Sequence, residues 1–172
     1  MSEVAEVDTK AVDDFGKRLA GKYLTFLISE EEYGVEILKV QEIIQMQKIT
    51  PVPGSEDYLR GVINLRGKVI PVVELRKKFN METVEDDEKT AIVVMLIESG
   101  DTTMTMGIII DSVREVMDVD AESIEKTPSL GSKIDTGFIM GICKSEGNVK
   151  MLLDIDKVLS VEELNSITGI SE

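Results

Sequence analysis

This chain carries the same two blocks twice, in the same order. Gly34-Val35-Glu36-Ile37-Leu38-Lys39-Val40-Gln41-Glu42-Ile43-Ile44 returns as Gly107-Ile108-Ile109-Ile110-Asp111-Ser112-Val113-Arg114-Glu115-Val116-Met117, and Gly67-Lys68-Val69-Ile70-Pro71-Val72-Val73-Glu74-Leu75 returns as Gly147-Asn148-Val149-Lys150-Met151-Leu152-Leu153-Asp154-Ile155. Gly34 and Gly107 are 73 positions apart, Gly67 and Gly147 are 80. A repeat defines the unit that must be built, so it restricts the fold before any single element is considered. The period is too long for a solenoid and predicts two copies of one small subdomain. Copies of about 70 to 80 residues bury too little surface to be stable alone, so the halves are expected to share an apolar seam.

Each copy reads as short strands joined by turns. Tyr23 to Ile28 is rich in β-branched, aromatic and leucine residues and predicts a strand. Glu30-Glu31-Glu32 fits a hairpin tip, and Tyr33 to Ile37 the return. Val40, Ile43 and Ile44 suggest a single helical turn over Leu38 to Ile44. Gly61 to Leu65 and Lys68 to Leu75 form a second hairpin around Arg66-Gly67. Pro71 cannot donate to a ladder, so its strand is expected at an edge or a bulge. The second half repeats the plan, with Thr127-Pro128 loosely matching Thr50-Pro51. Ser160 and Glu163 resemble a capping box. The sum, about ten short strands with short helices and a C-terminal helix, predicts a mainly all-β chain of small barrels or sandwiches, and two barrels side by side fit the repeat. The expected organisation is a polar arm over 1–20, paired barrels over 21–160 (about 21–81 and 91–160) and a tail over 161–172. An acidic linker, 82–90, joins the barrels, and strand exchange between them is left open.

Composition narrows the function. The 172 residues carry a net charge of −14. Nucleic acid requires lysine and arginine clusters, and anionic membrane surfaces attract basic segments, so neither is an expected partner. Basic patches on a protein partner are favoured. The single cysteine, Cys143, permits no internal disulfide, as suits a reducing compartment. No apolar run approaches the roughly 18 residues of a membrane span. The acidic N-terminus lacks a signal-peptide core. The expected location is the cytoplasm.

Catalytic signals are scarce. The chain has no histidine, which removes the usual general base and the commonest metal ligand. No phosphate-cradling glycine loop is present, and no cofactor is expected. Asp154, Asp156 and Asp111 leave open a carboxylate-based, metal-dependent enzyme. Against this, Asp156 matches Arg76 in the other copy, so that carboxylate is not part of the repeat. Met95, Met104 and Met106 read as core or as an adaptable binding surface. A reader of proline-rich peptides would stack ligands on aromatic rings, and the chain has no tryptophan. Arg66 is the sharper feature. It sits at a hairpin turn whose counterpart in the other copy is Glu146. It is either a solvated turn residue or a fork for a partner's carboxylate.

The blocks Ile37 to Ile43, Arg60-Gly61-Val62-Ile63-Asn64-Leu65-Arg66-Gly67, Val69 to Arg76 and Gly107 to Val116 resemble the CheW family of bacterial chemotaxis coupling proteins, over about residues 20 to 160. The resemblance implies two SH3-like five-stranded barrels around a common apolar core, and a non-enzymatic adaptor. Such an adaptor joins the cytoplasmic tips of chemoreceptors to the regulatory domain of the CheA histidine kinase. It would be cytoplasmic, recruited to membrane-bound receptor arrays without inserting into the membrane. A CheW-like regulatory module of another two-component pathway remains an alternative. By motif, the resemblance implies receptor binding at Val40, Glu42, Gly61, Arg66 and Val116. Arg66 would pair with an acidic receptor group, and Gly61 would permit close backbone approach. Ser129 and Leu130, in the Thr127 to Leu130 segment, are candidates for kinase binding.

Overall fold

β-Branched and apolar residues dominate both copies, and they fold as strands. The computed structural model describes residues 16–99, 101–126, 137–145, 147–160, 162–164 and 166. Its strands are β1 (Gly21–Ile28), β2 (Glu31–Glu36), β3 (Val40–Gln45), β4 (Leu59–Leu65), β5 (Lys68–Glu74), β6 (Ala91–Ser99), β7 (Thr102–Ile110), β8 (Ser112–Val119), β9 (Ile124–Glu125), β10 (Ile139–Ser145) and β11 (Asn148–Leu153). A short helix, α1 (Leu75–Lys78), and 3-10 turns at Ile37–Lys39, Ala121–Ser123 and Ile155–Lys157 interrupt them.

The strands form two sheets, ordered β8-β1-β2-β11-β10-β9 and β3-β6-β7-β5-β4. Each sheet takes strands from both halves of the chain. Hairpin β1–β2 lies beside β11, and hairpin β6–β7 lies between β3 and β5. The ranges 21–81 and 91–160 therefore do not separate the sheets. Two parallel ladders carry the exchange, Gly34 opposite Leu152 and Gly107 opposite Val72. These are equivalent positions of the repeat, so both ladders keep one register. Other contacts repeat as well. Glu74 N–H donates to Tyr58 O at 2.8 Å, and Asp154 N–H donates to Phe138 O at 2.7 Å. Thr50 bridges to Val62, while Glu125 pairs with Ile142.

Side chains from the two faces of the central strands fill separate cores. Leu24, Phe26, Ile28 and Val35 of one sheet meet Val93, Met95, Ile97, Met106 and Ile108 of the other in the largest cluster. This is the apolar seam expected of two marginal halves. Ile63, Ile70, Val72, Ile92, Val94 and Ile109 pack on the opposite face of the five-stranded sheet. Tyr23, Val119, Ile124, Cys143 and Leu152 do so in the six-stranded one. β6 thus sends Val93 and Met95 one way and Ile92 and Val94 the other, which is why its sequence is an unbroken apolar run. Met95, Met104 and Met106 belong to the core, not to a binding surface.

Two expectations need correction. Val40 to Gln45 is a strand, not a helical turn; only Ile37–Lys39 is helical. Val40 packs on the shared core and Ile44 on the core of its own sheet, while Ile43 is 42 % exposed. Strict alternation would put Val40 and Ile44 on one face; the register shift between Val40 and Glu42 divides them. Pro71 lies on a central strand, not an edge; the parallel ladder to β7 begins only at Val72. The acidic segment is exposed over residues 82–89 and fastened at two points. Arg60 bridges Asp86 (2.7 Å) and the buried Glu74 (3.1 Å), and Arg76 donates to Glu82 O at 2.9 Å.

Asp111 and Asp156 hold the junctions between sheets. Asp111 is paired with Arg76 and accepts from Ser29 N–H at 2.8 Å. Asp156 is paired with Lys39 at 2.8 Å and accepts from Glu98 N–H at 2.8 Å. Position 76 is the repeat equivalent of 156, so the two junctions have the same form with opposite charge. At the C-terminal end, Ser160 N–H donates to Glu163 Oε1 (2.8 Å) and Glu163 N–H to Ser160 Oγ (3.1 Å), a completed capping box. Lys78 Nζ grips the same carboxylate at 2.6 and 2.7 Å, and Leu164 is buried in the shared core.

Candidate protein-binding site

The two-residue turn Arg66-Gly67 joins β4 to β5. Both residues have positive φ, 51° and 87°, the geometry that matches the twist of a tight hairpin. Asn64 steadies it, its Oδ1 accepting from Gly67 N–H at 2.9 Å. The turn holds the Arg66 guanidinium against β3, the strand at the other end of the sheet order, where it meets Glu42 through both nitrogens. Nη1 to Oε1 is 3.2 Å, and Nη2 pairs with Oε2. The Arg66 side chain is 72 % exposed and that of Glu42 28 %. Hydrogen bonding to Glu42 and its charge hold the Arg66 pKa above its ordinary value. The fork is preorganised, accessible and already satisfied from within the chain. Any outside carboxylate at Arg66 competes with Glu42.

Gly61 sits on β4, the strand that leads into this turn, and does a different task. Its φ is +153°, and a β-carbon there would stand 2.2 Å from the Thr50 carbonyl oxygen. The close approach Gly61 permits is that of its own chain: the Thr50–Val62 bridge joins the segment after β3 to β4, at the far edge of the sheet. Val40 begins β3 and is half-buried against the shared core. These four residues share the five-stranded sheet. Val116 does not; it lies on β8, the edge of the other sheet, 54 % exposed beside the exposed Val113. Ser129 and Leu130 fall outside the described residues.

Sequence reasoning missed the Glu42–Arg66 bond, because the partners are 24 residues apart and no spacing rule links them. It also missed Leu38, the most exposed large apolar side chain among the described residues at 91 %. The carboxylates proposed for a metal-dependent reaction do not gather. Asp111 and Asp156 occupy separate junctions, each against a cation, and among the described residues no group of three or more acidic or thiol side chains converges on one point. Among the same residues, no helix is long and apolar enough to cross a membrane.

The fold and this geometry define a class: a two-sheet β protein with a charge pair at a tight hairpin turn and exposed valines on the edge strand β8. Comparison supplies the family. The model of the CheW-like domain matches residues 22–163, and the chain belongs to that family. It is 32 % identical over 157 residues to the chemotaxis protein CheW of Klebsiella aerogenes, covering 91 % of this chain and 92 % of that one. It is 34 % identical over 145 residues to the chemotaxis protein CheW of Bacillus subtilis, covering 84 % and 90 %. The crystal structure of the scaffolding protein TtCheW from Thermoanaerobacter tengcongensis superposes with a TM-score of 0.74 at 32 % identity, over 84 % of this chain and 96 % of that one.

Proposed function

We propose that this chain is a non-enzymatic coupling adaptor of bacterial chemotaxis, joining chemoreceptor cytoplasmic tips to the regulatory domain of the CheA kinase. One observation carries the reading for the receptor side: in a chain of this family, the preorganised Arg66–Glu42 pair stands at the surface on a rigid hairpin. An arginine fork suits a carboxylate on a partner. Val40 and Gly61 support this surface from beneath, Val40 by anchoring β3 and Gly61 by closing the sheet. Val116 offers an apolar contact on the other sheet. The names and scaffold description of the relatives support the same role, as does a two-sheet body with a continuous shared core, which transmits contact without turnover. The protein would act in the cytoplasm, at receptor arrays.

Binding of a receptor cytoplasmic fragment to the full chain, and to Arg66→Glu and Glu42→Gln, tests the site. Arg66→Glu is expected to abolish measurable binding. Glu42→Gln removes the internal competitor and is expected to strengthen binding to an acidic receptor group. Unchanged binding in Arg66→Glu would remove that residue from the site.

A further inference from the structure

Arg60 and Arg76 each hold two acceptors through different nitrogens, and one acceptor of each lies in the exposed segment after α1. Arg60 Nη2 donates to the buried Glu74 at 3.1 Å, and its Nη1 to Asp86 at 2.7 Å. Arg76 pairs with Asp111 through Nε and Nη2, and its Nη1 donates to Glu82 O at 2.9 Å. Residues 81–87 lie in no strand or helix. Met81 N–H donates to Arg76 O at one end, and Asp87 and Thr90 form a self-bonded turn at the other. Between these fixed ends, the two arginines fasten the segment.

The segment can lift without leaving either arginine as an unpaired buried charge, because Glu74 and Asp111 stay in place. Lifting frees Arg60 Nη1 and Arg76 Nη1 on one concavity, which Val84 and Ile109 also line. The vacated donors match a carboxylate and a backbone carbonyl a few residues apart, the acceptors of an extended acidic peptide. The repeat itself does not require arginine at either position: 60 and 76 match Met140 and Asp156 in the other copy.

We propose that residues 82–86 are an autoinhibitory strap over a groove for an extended acidic segment of a protein partner. Asp86 stands in for the partner's carboxylate and Glu82 O for its carbonyl. Being tethered, the strap competes at high effective concentration, so the groove takes a partner only as Asp86 leaves Arg60. The Arg66–Glu42 pair takes no part in this exchange.

A synthetic peptide of residues 81–90, titrated into the full chain and followed by the Ile109 methyl resonance, tests the groove. The Asp86→Ser variant, whose strap has lost its carboxylate, is expected to bind the peptide about tenfold more tightly than the parent, because the open fraction rises. Adding Arg60→Lys keeps a cation beside Glu74 but removes the fork, and is expected to abolish binding. A peptide carrying Asp86→Ser is expected not to bind, and this arm decides if the Arg60→Lys variant does not fold. Equal affinity in the parent and in Asp86→Ser would overturn the proposal. So would the absence of any Ile109 shift in Asp86→Ser, or a shift of the same size with the peptide that lacks the carboxylate.

Discussion

Gly107 stands opposite Val72 on the parallel ladder between β7 and β5, where an added β-carbon would lie 2.8 Å from Ile92 Cγ2 and 3.4 Å from Val72 Cγ2. Its repeat equivalent, Gly34, stands opposite Leu152 with 3.2 Å to Leu152 Cδ2. Both glycines let a neighbouring side chain cross the strand. The branched, buried Ile92 cannot yield, whereas the tip of Leu152 can rotate. Gly107→Ala is expected to cost about 1–3 kcal/mol by overpacking, and Gly34→Ala less. Urea unfolding of the two variants ranks them; an equal or reversed order would contradict this packing.

The exchange of hairpins means that neither half completes a sheet. Fragments 1–86 and 87–172, cut within the acidic segment, are each expected to lack a cooperative unfolding transition. Mixed, they are expected to form a one-to-one complex that regains it. A cooperative transition in either fragment alone would contradict the observed topology.

The repeat, the hairpins and the mainly-β fold were legible because they depend on local pattern: alternation, turn glycines and block similarity. The partners of those hairpins were not. β2 could meet β5 or β11 with the same alternation, since Val72 and Leu152 are equivalent apolar residues, and only three-dimensional closure selects between them. Val40 to Ile44 misled for a related reason. Its apolar spacing fits a helical turn, but the strand divides those residues between two cores and solvent. At the site, the motif pointed to Glu42 and Arg66 but not to their bond. It also pointed to Gly61, whose demand for glycine comes from Thr50 within the chain.

Gly61→Ala is expected to destabilise the protein by about 3 kcal/mol, combining a positive-φ penalty with a clash against backbone that has no freedom to move. The damage should be local first. Hydrogen exchange at the Thr50 and Val62 amides, which bond each other's carbonyls at 2.9 Å, is expected to speed up more than at the central strands. Unaltered exchange at these two amides would show that Gly61 serves a partner and not the fold.

Glu163 ties the C-terminal end to α1. Burial acts to raise its pKa, but the hydrogen bond and charge of Lys78 and the Ser160 amide outweigh it, and the net value lies below the ordinary carboxylate range. A depressed native pKa contributes stability that is present above the unfolded value and is lost as pH falls through the native one. The Glu163→Gln variant is therefore expected to be less stable than the parent at pH 7, by about 1 kcal/mol. The two should converge below the usual carboxylate range near pH 4. Leu164→Ala removes a buried side chain and is expected to cost about 2–5 kcal/mol at any pH. Thermal melts at pH 7 and at pH 3 compare them. A Glu163→Gln deficit that persists undiminished at low pH would rule out the ionic contribution.

Co-sedimentation of CheA with membranes bearing chemoreceptors, with and without this chain, addresses the coupling role itself. The full chain is expected to bring CheA into the pellet. The Arg66→Glu variant is expected to stay in the supernatant with CheA, while unfolding in urea at the parent's midpoint. CheA recovery that is the same with the full chain, with Arg66→Glu and with no added chain would contradict the account.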